Sequence, residues 1–185
     1  NGLGIISNVF PSNVWYPVVR QDLAILDKII YTILELEGQD RSPVIVLSSG
    51  EHLNSSILYN KCVSLMTDNI SKDICPTIQN AGEVDKRDWL NKKILEARYV
   101  IITDPIDYHL QPKDQRLVGY FGEMILSGRE FGGHYRKLDI EYSVDGNLLV
   151  NFYERIEDYT PQDITGIERY FQDRYPEFKN MYEFY

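Results

Sequence analysis

The fold is decided by one stretch of this sequence, Tyr99-Val-Ile-Ile-Thr-Asp-Pro-Ile-Asp-Tyr-His-Leu-Gln-Pro-Lys-Asp-Gln-Arg116. Residues 99–103 are rich in β-branched side chains, which is typical of a strand buried on both faces. A polar loop follows, and Pro112 suits the first position of a helix. Ligands in open α/β sheets bind just beyond the carboxyl ends of parallel strands, so residues 104–116, here called the 104–116 loop, are where a site would lie.

A second strand of the same character is predicted over residues 44–48, and it ends in Ser48-Ser-Gly50, here called the serine turn. Apolar residues recur at helical spacing around both strands, which predicts helices that join them as parallel strands. Residues 68–83 are predicted to be loop, with at most a short strand near Ile74. The predicted helices cover residues 22–37, a segment from residue 54 or 55, residues 85–97 and a segment from Pro112 to Gly128.

The C-terminal part of the chain changes to a period of two, which indicates antiparallel strands. Within residues 136–144 apolar side chains alternate with polar neighbours, Asp145-Gly146 is a two-residue hairpin signal, and residues 148–154 return as the partner strand. A last helix should begin at Pro161, with Thr160 as its N-cap. The order predicts one α/β domain over residues 1–185, a three-layer sandwich with a mixed sheet of two parallel core strands and the hairpin, and helices on both faces.

The composition argues against a nucleic-acid partner and against a membrane-spanning segment within this sequence. The formal net charge is −9 and the sequence pI is about 4.8, which argues against a nucleic-acid surface because phosphates require clustered Lys and Arg. No apolar run approaches the ~20 residues that span a bilayer. Because the chain begins at Asn1 rather than Met, we expect it to be excised from a longer protein that could carry membrane segments.

The two cysteines, Cys62 and Cys75, leave two readings open. A disulfide between them is possible, and two buried free thiols are equally compatible with the sequence. They have no histidine partners at ligand spacing, so no metal site is predicted, and no cofactor is predicted either.

The serine turn is the first candidate ligand site. Backbone N–H groups of Ser48, Ser49 and Gly50 could cradle a phosphate, as strand-to-helix turns often do. The Gly-x-Gly-x-x-Gly fingerprint and the P-loop are both absent, however, so an ordinary turn is the favoured interpretation. No spacing ties either serine to a histidine base, and no catalytic residue is predicted.

The 104–116 loop is the second candidate, and it is weighed against a structural role. Asp104 could pair with Asp107 or Asp114 as carboxylates for glycosidic chemistry, but Asp104-Pro105 can also simply end the strand. Asp114 would lie in the first turn of a helix, where acids are favourable. Each residue is individually better explained as structural. The cluster nevertheless keeps a polar pocket as a hypothesis, with candidate ligand-binding residues Asp104, His109, Asp114, Gln115 and Arg116.

Four groups of short motifs form a combination that points to a known family. They are Trp15-Tyr-Pro-Val-Val-Arg-Gln-Asp22, Val46-Leu-Ser-Ser-Gly50 with Leu53-Asn54 and Ile57-Leu58, Tyr99-Val-Ile-Ile-Thr-Asp-Pro105 and His109-Leu-Gln-Pro-Lys-Asp-Gln115. Together they resemble the soluble C-terminal domain of bacterial multi-pass membrane glycosyltransferases that use polyprenyl-phosphate sugars. The resemblance extends over roughly residues 15–155.

The resemblance implies no catalytic residue in this chain, because the catalytic carboxylates of that group lie in loops of the membrane portion. It implies an accessory domain on the extracytoplasmic face of the cell membrane, for acceptor recognition or for packing on the membrane part. The implied partners are the membrane-embedded part of the same polypeptide and a glycan or lipid-linked sugar. The alternative is a free-standing α/β enzyme or binding module for a phosphorylated or sugar-nucleotide small molecule, held by the serine turn and the 104–116 loop.

Overall fold

The computed structural model describes residues 20–38, 42–65, 75–81, 90, 92–177 and 184. Its centre is a five-stranded mixed sheet with the strand order β2-β1-β3-β5-β4. Strand β1 pairs in parallel with both β2 and β3, while β5 pairs antiparallel with β3 and β4. The strands are β1 (Val44–Val46), β2 (Ile78–Asn80), β3 (Tyr99–Asp104), β4 (Tyr135–Val144) and β5 (Leu148–Arg155).

The sheet confirms the α/β class, the two core strands and the hairpin, but it contains three parallel strands rather than two. The missed strand is β2, which is only three residues long and buries a single residue, Ile78. A segment this short has too few positions to show a period, so its place in the sheet depends on pairing with β1. The predicted short strand near Ile74 lies outside the described residues.

Among the described residues five α-helices accompany the sheet, and one of them starts later than predicted. Residues Pro112–Asp114 form a single turn of 3₁₀ helix, and the α-helix begins only at Arg116, because Gln115 has φ −122° and ψ 65°. Asp85 and Trp89, expected in the third helix, lie outside the described residues. The helices are α1 (Leu23–Glu37), α2 (Ser55–Leu65), α3 (Lys92–Glu96), α4 (Arg116–Ser127) and α5 (Pro161–Arg174).

The core consists of two apolar clusters on opposite faces of the sheet, because successive strand residues point to opposite sides. In β1, Val44 and Val46 join the cluster that contains α1 and α2. Ile45 and the following Leu47 join the cluster that contains α3, α4 and α5. This division is consistent with the predicted three layers.

The hairpin between β4 and β5 and the N-cap of α5 both form as predicted, except that the hairpin loop is one residue longer. Val144 pairs with Leu148, so the hairpin loop has three residues rather than two, and Gly146 and Asn147 both adopt positive φ angles of 81° and 57°. The Thr160 side chain accepts a hydrogen bond from Asp163 N, and the Asp163 side chain accepts one from Thr160 N. This capping box fixes the start of α5.

Cys62 and Cys75 form a disulfide, which decides the question that the sequence left open. The bond ties α2 to the 3₁₀ turn Cys75–Thr77 that leads directly into β2. None of the described helices combines the length and the apolar character needed to cross a bilayer.

Candidate functional site

The serine turn and the 104–116 loop lie side by side, because they follow the neighbouring parallel strands β1 and β3. Their contacts are polar. Ser48 is 2% exposed, and its Oγ shares a hydrogen bond of 2.9 Å with Oγ1 of Thr103, the buried residue before the end of β3. Thr103 Oγ1 in turn accepts a hydrogen bond of 2.8 Å from Asp107 N. The Ser48 hydroxyl is therefore part of the link between the two strands.

Ser49 is held by the far end of the 104–116 loop. Its Oγ accepts a hydrogen bond of 2.6 Å from Gln115 Nε2 and a longer one, 3.4 Å, from His109 N. Gln115 is fully buried, and its Oε1 accepts a hydrogen bond of 2.8 Å from Leu110 N. The oxygen and the nitrogen of the Gln115 carboxamide both hold the loop against the serine turn. Because Gln115 is held in this way, α4 begins only at Arg116.

Asp107 is the residue that joins the two segments most extensively. Its backbone carbonyl accepts hydrogen bonds from Ser49 N at 2.8 Å and Gly50 N at 3.0 Å. Its carboxylate Oδ2 accepts from His52 N and Leu53 N, each at 3.1 Å. Two of the three backbone N–H groups that could have held a phosphate, those of Ser49 and Gly50, are therefore bonded to the protein itself.

Position 50 favours glycine because the Asp107 carboxylate occupies the space that a side chain would need. A Cβ atom on Gly50 would lie 2.0 Å from Asp107 Oδ1, a distance at which the two side chains cannot coexist. Asp107 was named in the sequence only as one member of a possible carboxylate pair. A glycine after a strand combined with a distant aspartate carries no local pattern, so sequence reasoning did not find this contact.

The other predicted residues of the 104–116 loop do not form one cluster with the serines. Asp104 is exposed at the end of β3 and is followed by a cis peptide bond to Pro105. Asp114 ends the 3₁₀ turn. The guanidinium of Arg116, a buried residue, stacks 4.2 Å above the ring centroid of Tyr175, beyond the end of α5. Of the predicted ligand-binding residues in this loop, Gln115 and the backbone of His109 join Asp107 in hydrogen-bonding the serine turn.

A second set of polar contacts connects this region to the start of α1. Arg20 Nη1 donates to His52 O at 2.6 Å, and its guanidinium also donates to both carboxylate oxygens of Asp22. Asp22 Oδ2 accepts a further hydrogen bond of 2.9 Å from Asp145 N in the hairpin turn. Burial by itself would raise the pKa of Asp22, but these hydrogen bonds and the charge of Arg20 hold it below its ordinary value.

Open space at this end of the sheet lies beside α2, where both the serine turn and the 104–116 loop border it. A cavity of about 240 Å³ is bordered by the serine turn, by the start of α2 and by His109. Asn54 caps the helix there, since its Oδ1 accepts a hydrogen bond of 2.8 Å from Ile57 N. In the described part of the chain no imidazole hydrogen-bonds a serine hydroxyl, and no group of three or more His, Cys, Asp or Glu side chains is placed to hold a metal ion.

No protein-family model, curated protein or solved structure matches this chain. The arrangement of the site must therefore be interpreted from its own chemistry. It can donate and accept hydrogen bonds through hydroxyl and carboxamide groups. It presents no activated nucleophile, because both serine hydroxyls are bonded to Thr103 or Gln115 rather than to a base.

Proposed function

We propose that this chain is a non-catalytic accessory domain that works on the extracytoplasmic face of the cell membrane, as part of a glycosyltransferase-like membrane protein. It would pack on the membrane-embedded part of that protein or recognise the acceptor. The motif resemblance motivates the proposal. The observation that carries it is the closure of the serine turn onto the 104–116 loop through Asp107, Gln115 and Ser49. The polar groups that a reaction would use serve instead to hold the two loops together.

The disulfide supports the proposed compartment. Disulfides persist in oxidising environments and are rare where glutathione and thioredoxin keep thiols reduced. Cys62 and Cys75 are both fully buried in the apolar cluster under α1 and α2, and no free cysteine is present among the described residues. A bond at this position is expected for a domain that folds outside the cytoplasm.

The net charge of −9 supports protein or glycan contacts over direct adhesion to anionic lipid, which attracts polybasic surfaces. The alternative of a free-standing module for a phosphorylated small molecule has less support, because Ser49 N and Gly50 N already donate to Asp107. Thermal-shift measurements with nucleotides and sugar phosphates test it, since a ligand at 100 times its Kd stabilises by about 2.7 kcal/mol.

The proposal is tested in the complete protein that contains this chain. Deleting the domain should lower glycosyl transfer or abolish assembly of the membrane part. The substitution Asp104→Ala should leave the transfer rate within about twofold of the unmodified protein when assayed below the melting temperature, because Asp104 is exposed and does not border the cavity beside the serine turn. A complete reading frame without hydrophobic spans would refute the proposal. So would loss of turnover in Asp104→Ala at an unchanged melting temperature, because that result assigns chemistry to this domain.

A further inference from the structure

A surface groove runs between the first turn of α2 and the outer strand β2. It consists of two cavities, about 430 Å³ and about 240 Å³ in volume, that share Ser55, Ser56 and Asn80 as lining residues. The larger cavity extends along Gln79 and Tyr59, and the smaller one reaches the serine turn and His109. Each volume is near or within the range of small-molecule sites. We call the combined feature the α2–β2 groove.

The lining of the α2–β2 groove is hydroxyl and carboxamide in character. Serine hydroxyls, Gln79 and Asn80 can each donate and accept hydrogen bonds, and so can the hydroxyls of a sugar. None of the lining residues in the described part of the chain carries a carboxylate, although the whole chain has a net charge of −9. The described lining of the groove therefore differs from the acidic character of the chain as a whole.

Tyr59 supplies an apolar face in the same groove. It follows Ser55 by four residues and Ser56 by three, so the three side chains share one side of α2. The tyrosine is 41% exposed, which leaves part of its ring open to a ligand. An aromatic ring beside groups that both donate and accept hydrogen bonds is the combination that matches a sugar ring, which has apolar C–H faces and a polar rim.

We propose that the α2–β2 groove binds a saccharide, with Tyr59 against a face of the sugar and with Ser55, Ser56, Gln79 and Asn80 bonded to its hydroxyls. This inference rests on the proposed function and specifies the acceptor surface that the function requires. At the start of α2, Ile57 N already donates to Asn54 Oδ1, and Leu58 N makes the first ordinary helical hydrogen bond, to Asn54 O. An anion at this end of the helix would therefore lack one of its usual donors.

Amide-resolved NMR titration of the isotopically labelled chain tests the groove. The probes are trisaccharides of glucose, mannose, galactose and N-acetylglucosamine, each added to about 10 mM, which is tenfold above a Kd of about 1 mM. Inorganic phosphate is titrated separately. At least one trisaccharide should shift the amides of Ser55, Tyr59, Gln79 and Asn80 with saturation. Tyr59→Ala should weaken that binding roughly fivefold.

Tyr31→Ala is the matched control, because Tyr31 is a 53% exposed tyrosine on α1 that does not line the groove. It should leave the affinity unchanged. Asn80→Ala provides a second test that does not depend on the tyrosine, and circular dichroism verifies that each variant is folded. The inference is overturned if no trisaccharide shifts the groove amides, if Tyr31→Ala and Tyr59→Ala weaken binding equally, or if only phosphate binds.

Failure of this inference can be told apart from failure of the proposed function. If no saccharide binds while deletion of the domain still lowers glycosyl transfer in the complete protein, the groove is not the acceptor surface and the accessory role stands. If a saccharide binds at the groove while deletion leaves transfer and assembly unchanged, the groove assignment holds and the accessory role is refuted.

Discussion

At the scale of single residues, Asp107 carries a structural role that the sequence did not assign to it, while Asp104 ends β3. Asp107→Ala should lower the free energy of unfolding by about 1–3 kcal/mol, because it leaves His52 N and Leu53 N without their acceptor. Asp104→Ala is the matched control. Asp104 is exposed, so its replacement should change stability by no more than about 0.5 kcal/mol. Urea denaturation measures the free energy of unfolding of both variants. A larger decrease in Asp104→Ala than in Asp107→Ala would contradict the structural role given to Asp107.

Glu37 gives a residue-scale prediction with a pH dependence. It is 4% exposed, Thr77 Oγ1 donates to its Oε1, and its Oε2 has no hydrogen-bond partner among the described residues. Burial raises the pKa of this carboxyl above its ordinary value of 4.5, although the Thr77 hydrogen bond opposes the shift. The folded state therefore binds the Glu37 proton more tightly than the unfolded state, and ionisation weakens the fold as pH rises through the raised pKa.

Glu37→Gln should accordingly stabilise the protein at pH 7 by about 1 kcal/mol, because it removes a buried charge. The gain should shrink as pH falls and vanish below pH 4.5, where Glu37 is protonated in both states. Melting temperatures of the two proteins between pH 4 and pH 8 measure the effect. A constant difference across this range would show that Glu37 does not titrate in the way its burial implies.

At the scale of elements, the disulfide holds α2 against the edge of the sheet. Cys62 and Cys75 are 13 residues apart in sequence, so the bond restricts a short loop of the unfolded chain. Replacing both cysteines with serine should lower the free energy of unfolding by roughly 2–4 kcal/mol. Chemical denaturation of the unmodified chain with and without a reducing agent is the internal control. If the reducing agent leaves the free energy of unfolding unchanged, the disulfide is not formed in solution.

The capping box of α5 provides a second element-scale prediction. Thr160→Ala removes the side-chain acceptor for Asp163 N, and it should cost about 1 kcal/mol of stability. Thr165→Ala is the control within the same helix, because the Thr165 hydroxyl only donates back to Pro161 O. That change should be neutral or slightly stabilising, since alanine is the better helix former. Equal losses in the two variants would indicate that the cap contributes nothing.

At the scale of the whole molecule, the strand order makes β3 the centre of the domain. It pairs with β1 on one side and with β5 on the other, and Val100, Ile101 and Ile102 are fully buried. The amides of β3 should therefore exchange with deuterium more slowly than those of β2 and β4, which end the described sheet on its two sides. Faster exchange in β3 than in β4 would show that the hairpin, not the parallel strands, forms the most stable unit.

Local signals were sufficient for the elements that the sequence predicted correctly. The stop at Gly38, the N-cap at Thr160 and the alternation of β4 depend on residues close together in the sequence, so a linear pattern contains them. The end of α4 at Gly128 belongs to the same class, because a left-handed residue with φ 63° favours glycine wherever it occurs. These features needed no knowledge of the tertiary structure.

The sequence by itself determined the α/β class, the two core strands and the hairpin, because hydrophobic period and turn chemistry are local properties. Only the tertiary structure decided that β2 joins the sheet, that Cys62 and Cys75 are bonded, and that Asp107 closes the serine turn. Each of these joins residues beyond the reach of a local pattern, from 13 residues apart for the two cysteines to 55 for Asp107 and His52. Such contacts form only when packing brings distant groups within hydrogen-bonding distance, and no local pattern encodes them.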